Sequence, residues 1–140
     1  MKLNKEESLR WFDQAQHDLE VAKSNFGSGF YSDACYMSEQ AAQKGLKAFM
    51  IYHGKRHVWE HSVQELAKIG SHYDKEFEGV VEAGMVLDRY YVPTRYPDAL
   101  ASPAVPYKSY IAKDASEAIS LAEKIIAMVK GKFLSLEGRS

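Results

Sequence analysis

Two arginines and several tyrosines are concentrated in residues 88–98 of this 140-residue chain. The guanidinium groups of Arg89 and Arg95 can each bind a phosphate through two parallel hydrogen bonds. Tyr91 and Tyr96 offer aromatic faces on which nucleobases can stack. Together, these residue types have the chemistry that a binding site for a nucleotide or for RNA requires.

A structural interpretation of the same segment is also open. Asp88 or Asp98 could form ion pairs with the two arginines, and the tyrosines could pack between helices. Lys108, farther along the chain, could add a third cation to the cluster. Residue types alone therefore allow either a phosphate site or a structural ion-pair cluster.

The composition limits the kinds of partner. The formal net charge is −1, which argues against general electrostatic capture of nucleic acid, so any phosphate site must be local. Cys35 is the only cysteine, so no internal disulfide can form, which suits a reducing compartment. The first residues lack the apolar stretch of a signal peptide, and no segment approaches the roughly 20 apolar residues of a membrane span. We therefore expect a cytoplasmic protein without a membrane partner.

Hydrophobic spacing predicts helices and gives no convincing strand. Apolar residues recur at steps of three and four, as at Phe12, Ala15, Leu19 and Ala22. Helices are predicted over residues 5–26, 32–52, 62–69, 75–90 and 107–134. We predict a single all-α domain spanning 1–140, with a frayed tail at 135–140. Its fold is an antiparallel helical bundle of four long helices plus one short helix.

Local signals mark the helix ends and connections. Ser62 and Glu65 fit a capping box at the start of the short helix. Gly45, inside the second helix, predicts close packing against another helix, because glycine otherwise costs about 1 kcal/mol there. Residues 92–106 contain all four prolines, which predicts a long irregular connection of a kind that is often functional.

Histidines could in principle hold a metal. His53, His57 and His61 are four residues apart, which would place them on one face of a helix. Gly54 and the adjacent charged pair favour a loop instead, and a His-Glu-x-x-His order is absent. We therefore predict neither a metal nor a cofactor, and interpret His61 as a capping or packing residue. Lys47, on the second helix, is interpreted as solvated.

Two stretches resemble the HEPN family. Residues 29–34 (Gly-Phe-Tyr-Ser-Asp-Ala) and the helix that follows are similar to the second helix of HEPN domains, in which a Gln-Ala-Ala-Glu-Lys-Ala-Leu-Lys-like run is typical. Residues 91–98 (Tyr-Val-Pro-Thr-Arg-Tyr-Pro-Asp) are similar to the segment after the fourth helix in that family. His61 and Ser62, with Leu66, also resemble the start of its short helix.

The resemblance implies a helical bundle that commonly forms homodimers. Many HEPN proteins are encoded beside a minimal nucleotidyltransferase, with which they form toxin–antitoxin pairs, and the toxin members are metal-independent ribonucleases. Their motif is an arginine followed, after four to six residues, by a histidine at the end of the fourth helix. Some members also have a tyrosine two positions beyond this histidine, which the partner modifies with AMP.

This motif is only partly present. Arg89 matches the arginine, but the positions where the histidine would fall are Thr94, Arg95 and Tyr96. Threonine does not take up a proton near neutral pH, and tyrosine has an ordinary pKa of about 10, so the missing histidine favours binding over cleavage. If Thr94 takes the histidine position, Tyr96 falls at the position of the modified tyrosine.

The predicted function is that of a dimeric protein that binds a nucleotide or RNA phosphate and partners a minimal nucleotidyltransferase in a toxin–antitoxin-type pair. No catalytic residue is predicted, and Tyr96 is the predicted modification site. A ribonuclease toxin and a purely structural interaction bundle are the two alternatives. The predicted nucleotide- or RNA-binding residues are Arg89, Tyr91, Arg95, Tyr96 and Asp98.

Overall fold

The structure, a computed structural model, describes residues 2–55 and 58–137 of the chain. Its α-helices are α1 (Lys2–Gly27), α2 (Tyr31–Tyr52), α3 (Val63–Gly70), α4 (Val81–Asp88) and α5 (Ala112–Glu137). Short 3₁₀ segments cover Lys75–Val80, Pro97–Ala99 and Pro106–Lys108. Within the described ranges there is no strand, and no helix has both the length and the apolar character needed to cross a bilayer. The predicted all-α bundle is confirmed.

α2 is the central helix, because it packs against each of the other four. A Cβ added at Gly45 would lie 2.7 Å from Cδ1 of Ile126, so the glycine allows α5 to approach closely, as its position in the sequence predicted. Burial raises the pKa of the Cys35 thiol to about 12, so this thiol remains protonated and unreactive at neutral pH. Other small residues of α2 are also fully buried: Ala34, Ala41, Ala42 and Ala48.

α1 and α2 form an antiparallel hairpin. The chain reverses after α1 at Gly29, whose positive φ of 82° favours glycine. Farther along the pair, the buried carboxylate of Asp18 accepts hydrogen bonds from Gln14 and from the ammonium group of Lys44. Because the buried charge needs this partner, the ion pair helps to set the register of α1 against α2.

α4 lies directly against the start of α3. A Cβ added at Gly84 would lie 2.6 Å from the backbone nitrogen of Gln64, so only glycine permits this approach. Ser62 is the N-cap of α3, and its Oγ accepts a hydrogen bond from the amide of Glu65 (3.1 Å), which is one of the two bonds of the predicted capping box. The carboxylate of Asp88 accepts from the amides of the first two residues of α3. Two of the free donors at this helix end are thus satisfied by Asp88 of α4, and a third by Ser62.

The helix bounds differ most from the prediction at the starts of the fourth and last helices. The predicted fourth helix is a 3₁₀ segment up to Val80, where Gly79 weakens α-helical structure, and becomes α4 only afterwards. The predicted last helix begins at Ala112 instead of 107, because Pro106–Lys108 forms a separate turn. Asp114 then accepts a hydrogen bond from the amide of Ile111 at 2.9 Å.

The connection between α4 and α5 is irregular, as the prolines predicted, and the Ser102–Pro103 peptide bond is cis. At the other end of α5, the helix extends to Glu137. Residues 135–137 of the predicted tail are therefore helical, and 138–140 lie outside the described residues.

We expect the substitution Gly84→Ala to lower the free energy of unfolding by about 1–3 kcal/mol, because the new methyl group would push α4 away from the backbone of α3. Gly131→Ala in α5 is the matched control. Nothing lies within 4 Å of its added Cβ, and alanine should stabilise this helix by up to about 1 kcal/mol. Urea unfolding of both variants measures the difference. A Gly84→Ala protein as stable as the parent would show that the two helices can separate without cost.

Candidate functional site

Arg95 lies at the centre of a surface cluster that we call the Arg95 cluster, formed with Tyr36, Tyr91 and Tyr96. Its Cζ is 4.2 Å from the ring centroid of Tyr36, 5.1 Å from that of Tyr96 and 5.6 Å from that of Tyr91. At these distances the ring faces attract a guanidinium group through cation–π interactions. Arg95 is nevertheless exposed, so its position is restrained while the guanidinium remains open to solvent.

His61 joins this cluster from the loop before α3. Its ring stacks on that of Tyr91, with the centroids 5.5 Å apart and the planes inclined by 13°. The Nδ1 atom of His61 lies 3.2 Å from Oε1 of Gln43. The amide nitrogen of Gln43 donates to the carbonyl of His61 (3.1 Å) and to Oε2 of Glu39 (2.8 Å). A series of contacts therefore connects the buried Glu39 on α2, through Gln43 and His61, with the exposed Arg95 cluster.

Glu39 is a fully buried carboxyl group at the inner end of these contacts. Its two oxygens accept hydrogen bonds from Gln40 (2.7 Å) and Gln43 (2.8 Å). Burial raises the pKa of Glu39 to about 7, and the nearby charge of Asp88 adds to this increase, while the two amide donors and Lys47 oppose it. Glu39 therefore changes its protonation state near neutral pH.

Thr94 occupies one of the positions where the resemblance placed a catalytic histidine, and it is buried. Its hydroxyl donates a hydrogen bond of 2.6 Å to the carbonyl of Tyr90. The side chain therefore stabilises the turn after α4 and offers no proton acceptor to a ligand.

The other predicted site residues have different surroundings. Arg89 is the C-cap of α4 and Asp98 lies in the Pro97–Ala99 turn; both are exposed, and neither side chain is hydrogen-bonded or ion-paired within the described part of the chain.

Lys108 lies over the ring of the exposed Tyr107, with Nζ 5.5 Å from its centroid. Asp88 caps α3 and does not pair with the arginines. Of the five predicted binding residues, the structure brings together Tyr91, Arg95 and Tyr96.

Sequence reasoning missed a polar face on α2. Tyr36, Glu39, Gln43 and Lys47 follow one another at steps of three, four and four residues, which places them on one side of the helix. The spacing of these polar residues, in a helix otherwise rich in small residues, could have indicated this polar face from the sequence. Lys47, interpreted as solvated, is instead buried beneath Trp11, with Nζ 5.8 Å from the ring centroid, and burial lowers its pKa. The interpretation of Lys47 was wrong because its side chain is buried against Trp11 of α1.

His53 and His61, two of the three histidines considered for a metal, have separate aromatic partners. His53 stacks on Tyr73, with ring centroids 5.0 Å apart, whereas His61 stacks on Tyr91. His57 lies outside the described residues. Within residues 2–55 and 58–137, no group of three or more His, Cys, Asp or Glu side chains could hold a metal ion.

Comparison with known proteins gives consistent results. Residues 8–132 match the HEPN domain family. A Methanocaldococcus jannaschii protein named as a candidate toxin is 29% identical over 125 residues, which are 84% of this chain and 82% of that protein. A crystal structure from Thermus thermophilus superposes with a TM-score of 0.79 at 38% identity, covering 89% of this chain and 97% of that one. That of an archaeal HEPN homologue gives a TM-score of 0.73 at 33% identity, covering 89% and 96%.

The buried Glu39 predicts a pH dependence of stability. The folded protein keeps the proton of this carboxyl up to about pH 7, whereas the ordinary pKa of a glutamate is 4.5. The free energy of unfolding therefore contains a contribution that is complete below pH 4.5 and is lost as the pH rises to about 7. Glu39→Gln cannot ionise, so we expect it to gain stability relative to the parent across this window, by at most about 3 kcal/mol.

Urea unfolding of the parent and Glu39→Gln at several pH values measures this gap. Glu82→Gln, at an exposed position on α4, is the control for loss of a negative charge. A stability difference between parent and Glu39→Gln that stays constant from acid to neutral pH would contradict the raised pKa.

Proposed function

This chain belongs to the HEPN domain family, and on that premise we propose that it is the nucleotide- or RNA-phosphate-binding member of a toxin–antitoxin-type pair. In this proposal Arg95 binds phosphate, with Arg89 as a second cation at the end of α4. Tyr91 and Tyr96 stack on nucleobases, and the exposed Asp98 borders the site. The proposed ligand is held by charge and stacking, without a metal or cofactor.

The observation that supports this function is the restraint on Arg95. A free arginine side chain loses rotamer freedom when it binds, which weakens the interaction. Here three tyrosine rings lie within 4.2–5.6 Å of the guanidinium carbon before any ligand arrives. A group that is already restrained, charged and exposed is suited to bind a phosphate of a flexible chain.

Thr94 supports binding over cleavage. Ribonuclease chemistry without a metal needs a group that removes the 2′-hydroxyl proton near neutral pH. The Thr94 hydroxyl is buried and already donates to the carbonyl of Tyr90. Ribonuclease activity remains the second candidate function, because the Methanocaldococcus jannaschii relative is named as a candidate toxin and the toxin members of the family are ribonucleases.

The proposed partners are a second copy of the chain and a minimal nucleotidyltransferase. Both follow from the family and are compatible with the large apolar side chains that the surface exposes. Tyr107 and Ile111, in the connection that precedes α5, are 70% and 61% exposed, and Phe30, in the α1–α2 turn, is 60% exposed. These residues offer apolar area at positions where a partner could cover it.

Arg95→Ala is expected to weaken binding of a short oligoribonucleotide by roughly 10- to 100-fold, because charge-assisted hydrogen bonds to phosphate are lost. It should also make binding less sensitive to salt. Arg10→Ala, at an exposed arginine of α1 that pairs with Glu7, is the control and should bind as the parent does. Fluorescence anisotropy measures the affinity. Unchanged binding by Arg95→Ala would exclude the Arg95 cluster as the site, and Arg95-dependent shortening of the RNA would favour the ribonuclease instead.

Tyr96 is proposed as the residue that the nucleotidyltransferase modifies. In the transfer, its phenolic oxygen would attack the α-phosphorus of ATP and pyrophosphate would leave. Tyr96 is 51% exposed, so its side chain is accessible. After incubation with ATP and a minimal nucleotidyltransferase, mass spectrometry should locate AMP on Tyr96 and none in Tyr96→Phe. Tyr107→Phe, at another exposed tyrosine of the same connection, should be modified like the parent. Labelling that persists in Tyr96→Phe would contradict the assignment.

A further inference from the structure

The hydrogen bonds of Gln43 determine which nitrogen of His61 bears the proton. The Gln43 amide nitrogen lies 3.1 Å from the carbonyl oxygen of His61 and 2.8 Å from Oε2 of Glu39. A backbone carbonyl can only accept, so the NH₂ group must face it, and the amide oxygen must face the imidazole. An amide oxygen also only accepts. Nδ1, 3.2 Å away, therefore carries the hydrogen, and the neutral ring has an unprotonated Nε2.

This Nε2 belongs to an exposed ring that is held in place. The imidazole stacks on Tyr91 at an interplanar angle of 13°, and the hydrogen bond to Gln43 prevents it from turning over. Gln43 is in turn 4% exposed and anchored to the fully buried Glu39. His61 is thus a fixed hydrogen-bond acceptor at the surface, with its orientation set from inside the bundle.

His61 and Arg95 contact the same tyrosine. The centroid of the Tyr91 ring is 5.5 Å from that of His61 and 5.6 Å from Cζ of Arg95. Both side chains therefore border the same tyrosine, and a nucleotide bound beside Tyr91 is a ligand that would meet them both, with its phosphate at the guanidinium. In an RNA strand, the hydrogen-bond donor nearest to a phosphate is the 2′-hydroxyl of the ribose. The 2′-hydroxyl is also the group by which a protein distinguishes RNA from DNA.

We propose that His61 is a further binding residue, whose Nε2 accepts a hydrogen bond from the ribose 2′-hydroxyl of a nucleotide whose phosphate Arg95 binds, so that the site selects RNA over DNA. Gln43 and Glu39 are positioning residues for this contact. The inference rests on the proposed binding function and names its ligand class. Arg95 supplies affinity for any nucleic acid strand, and His61 supplies the preference for ribose.

The test compares the affinities of a short oligoriboadenylate and of the oligodeoxyadenylate of equal length. His61→Phe keeps an aromatic ring for stacking on Tyr91 but removes Nε2. We expect the parent to prefer RNA by about 3- to 10-fold, the range of one neutral hydrogen bond, and His61→Phe to lose this preference with unchanged affinity for DNA. Unchanged DNA affinity also shows that the variant is folded.

Gln43→Met tests the positioning role. Methionine has a similar length but cannot accept from Nδ1, so His61 is free to turn and the preference for RNA should fall toward that of His61→Phe. A merely structural role of Gln43 would lower both affinities together and leave their ratio unchanged. That result would overturn the assignment of Gln43.

The two proposals fail in different ways. If Arg95→Ala binds both oligonucleotides as the parent does, the proposed function is wrong. If Arg95→Ala weakens binding to both while His61→Phe keeps the parent's preference for RNA, the proposed function stands and the role of His61 is overturned. A parent protein without any preference between the two oligonucleotides also overturns it.

Discussion

The backbone donors at the start of α3 must be satisfied, and the structure satisfies two of them with the carboxylate of Asp88 at the end of α4. The Ser62 hydroxyl donates to the same carboxylate at 2.6 Å. One side chain thereby joins the end of one helix to the beginning of another. His61 precedes α3 and Tyr91 follows α4, so this junction brings their rings into contact. The position of the candidate site thus depends on a helix-capping requirement.

A buried carboxyl group is unfavourable unless something compensates for its lost hydration. Glu39 is fully buried, and only two amide groups and the nearby Lys47 favour its charged form. The carboxyl group of Glu39 holds Gln43 in place, and the other hydrogen bonds of Gln43 are with His61. Locally unfavourable polar groups occur mostly where function requires them. The polar face of α2 is therefore better explained as support for the site than as a contribution to stability.

Features that depend on near neighbours in the chain could be predicted from the sequence. The Ser62–Glu65 cap spans three residues, and the helices follow from apolar spacing over a few turns. The contacts of Asp88 join residues 24 to 26 positions apart, and residue types alone equally allowed an ion pair with an arginine. The same limit explains why Tyr36 was missed, since its contact with Arg95 exists only once α2 lies beside the segment after α4.

Thr94 stabilises the turn after α4, and it also leaves the site without the proton acceptor that a histidine at this position would supply. Its short hydroxyl reaches back to the carbonyl of Tyr90 and closes the turn after α4. The amide of Arg95 then donates to the carbonyl of Val92 at 3.0 Å, which continues the turn. The side chain of Thr94 is buried in this turn, whereas the next residue, Arg95, is exposed and contacts Tyr36 and Tyr91. Thr94 therefore stands where a catalytic histidine was expected, and it also stabilises the turn that carries Arg95, the residue that binds phosphate in the proposed function.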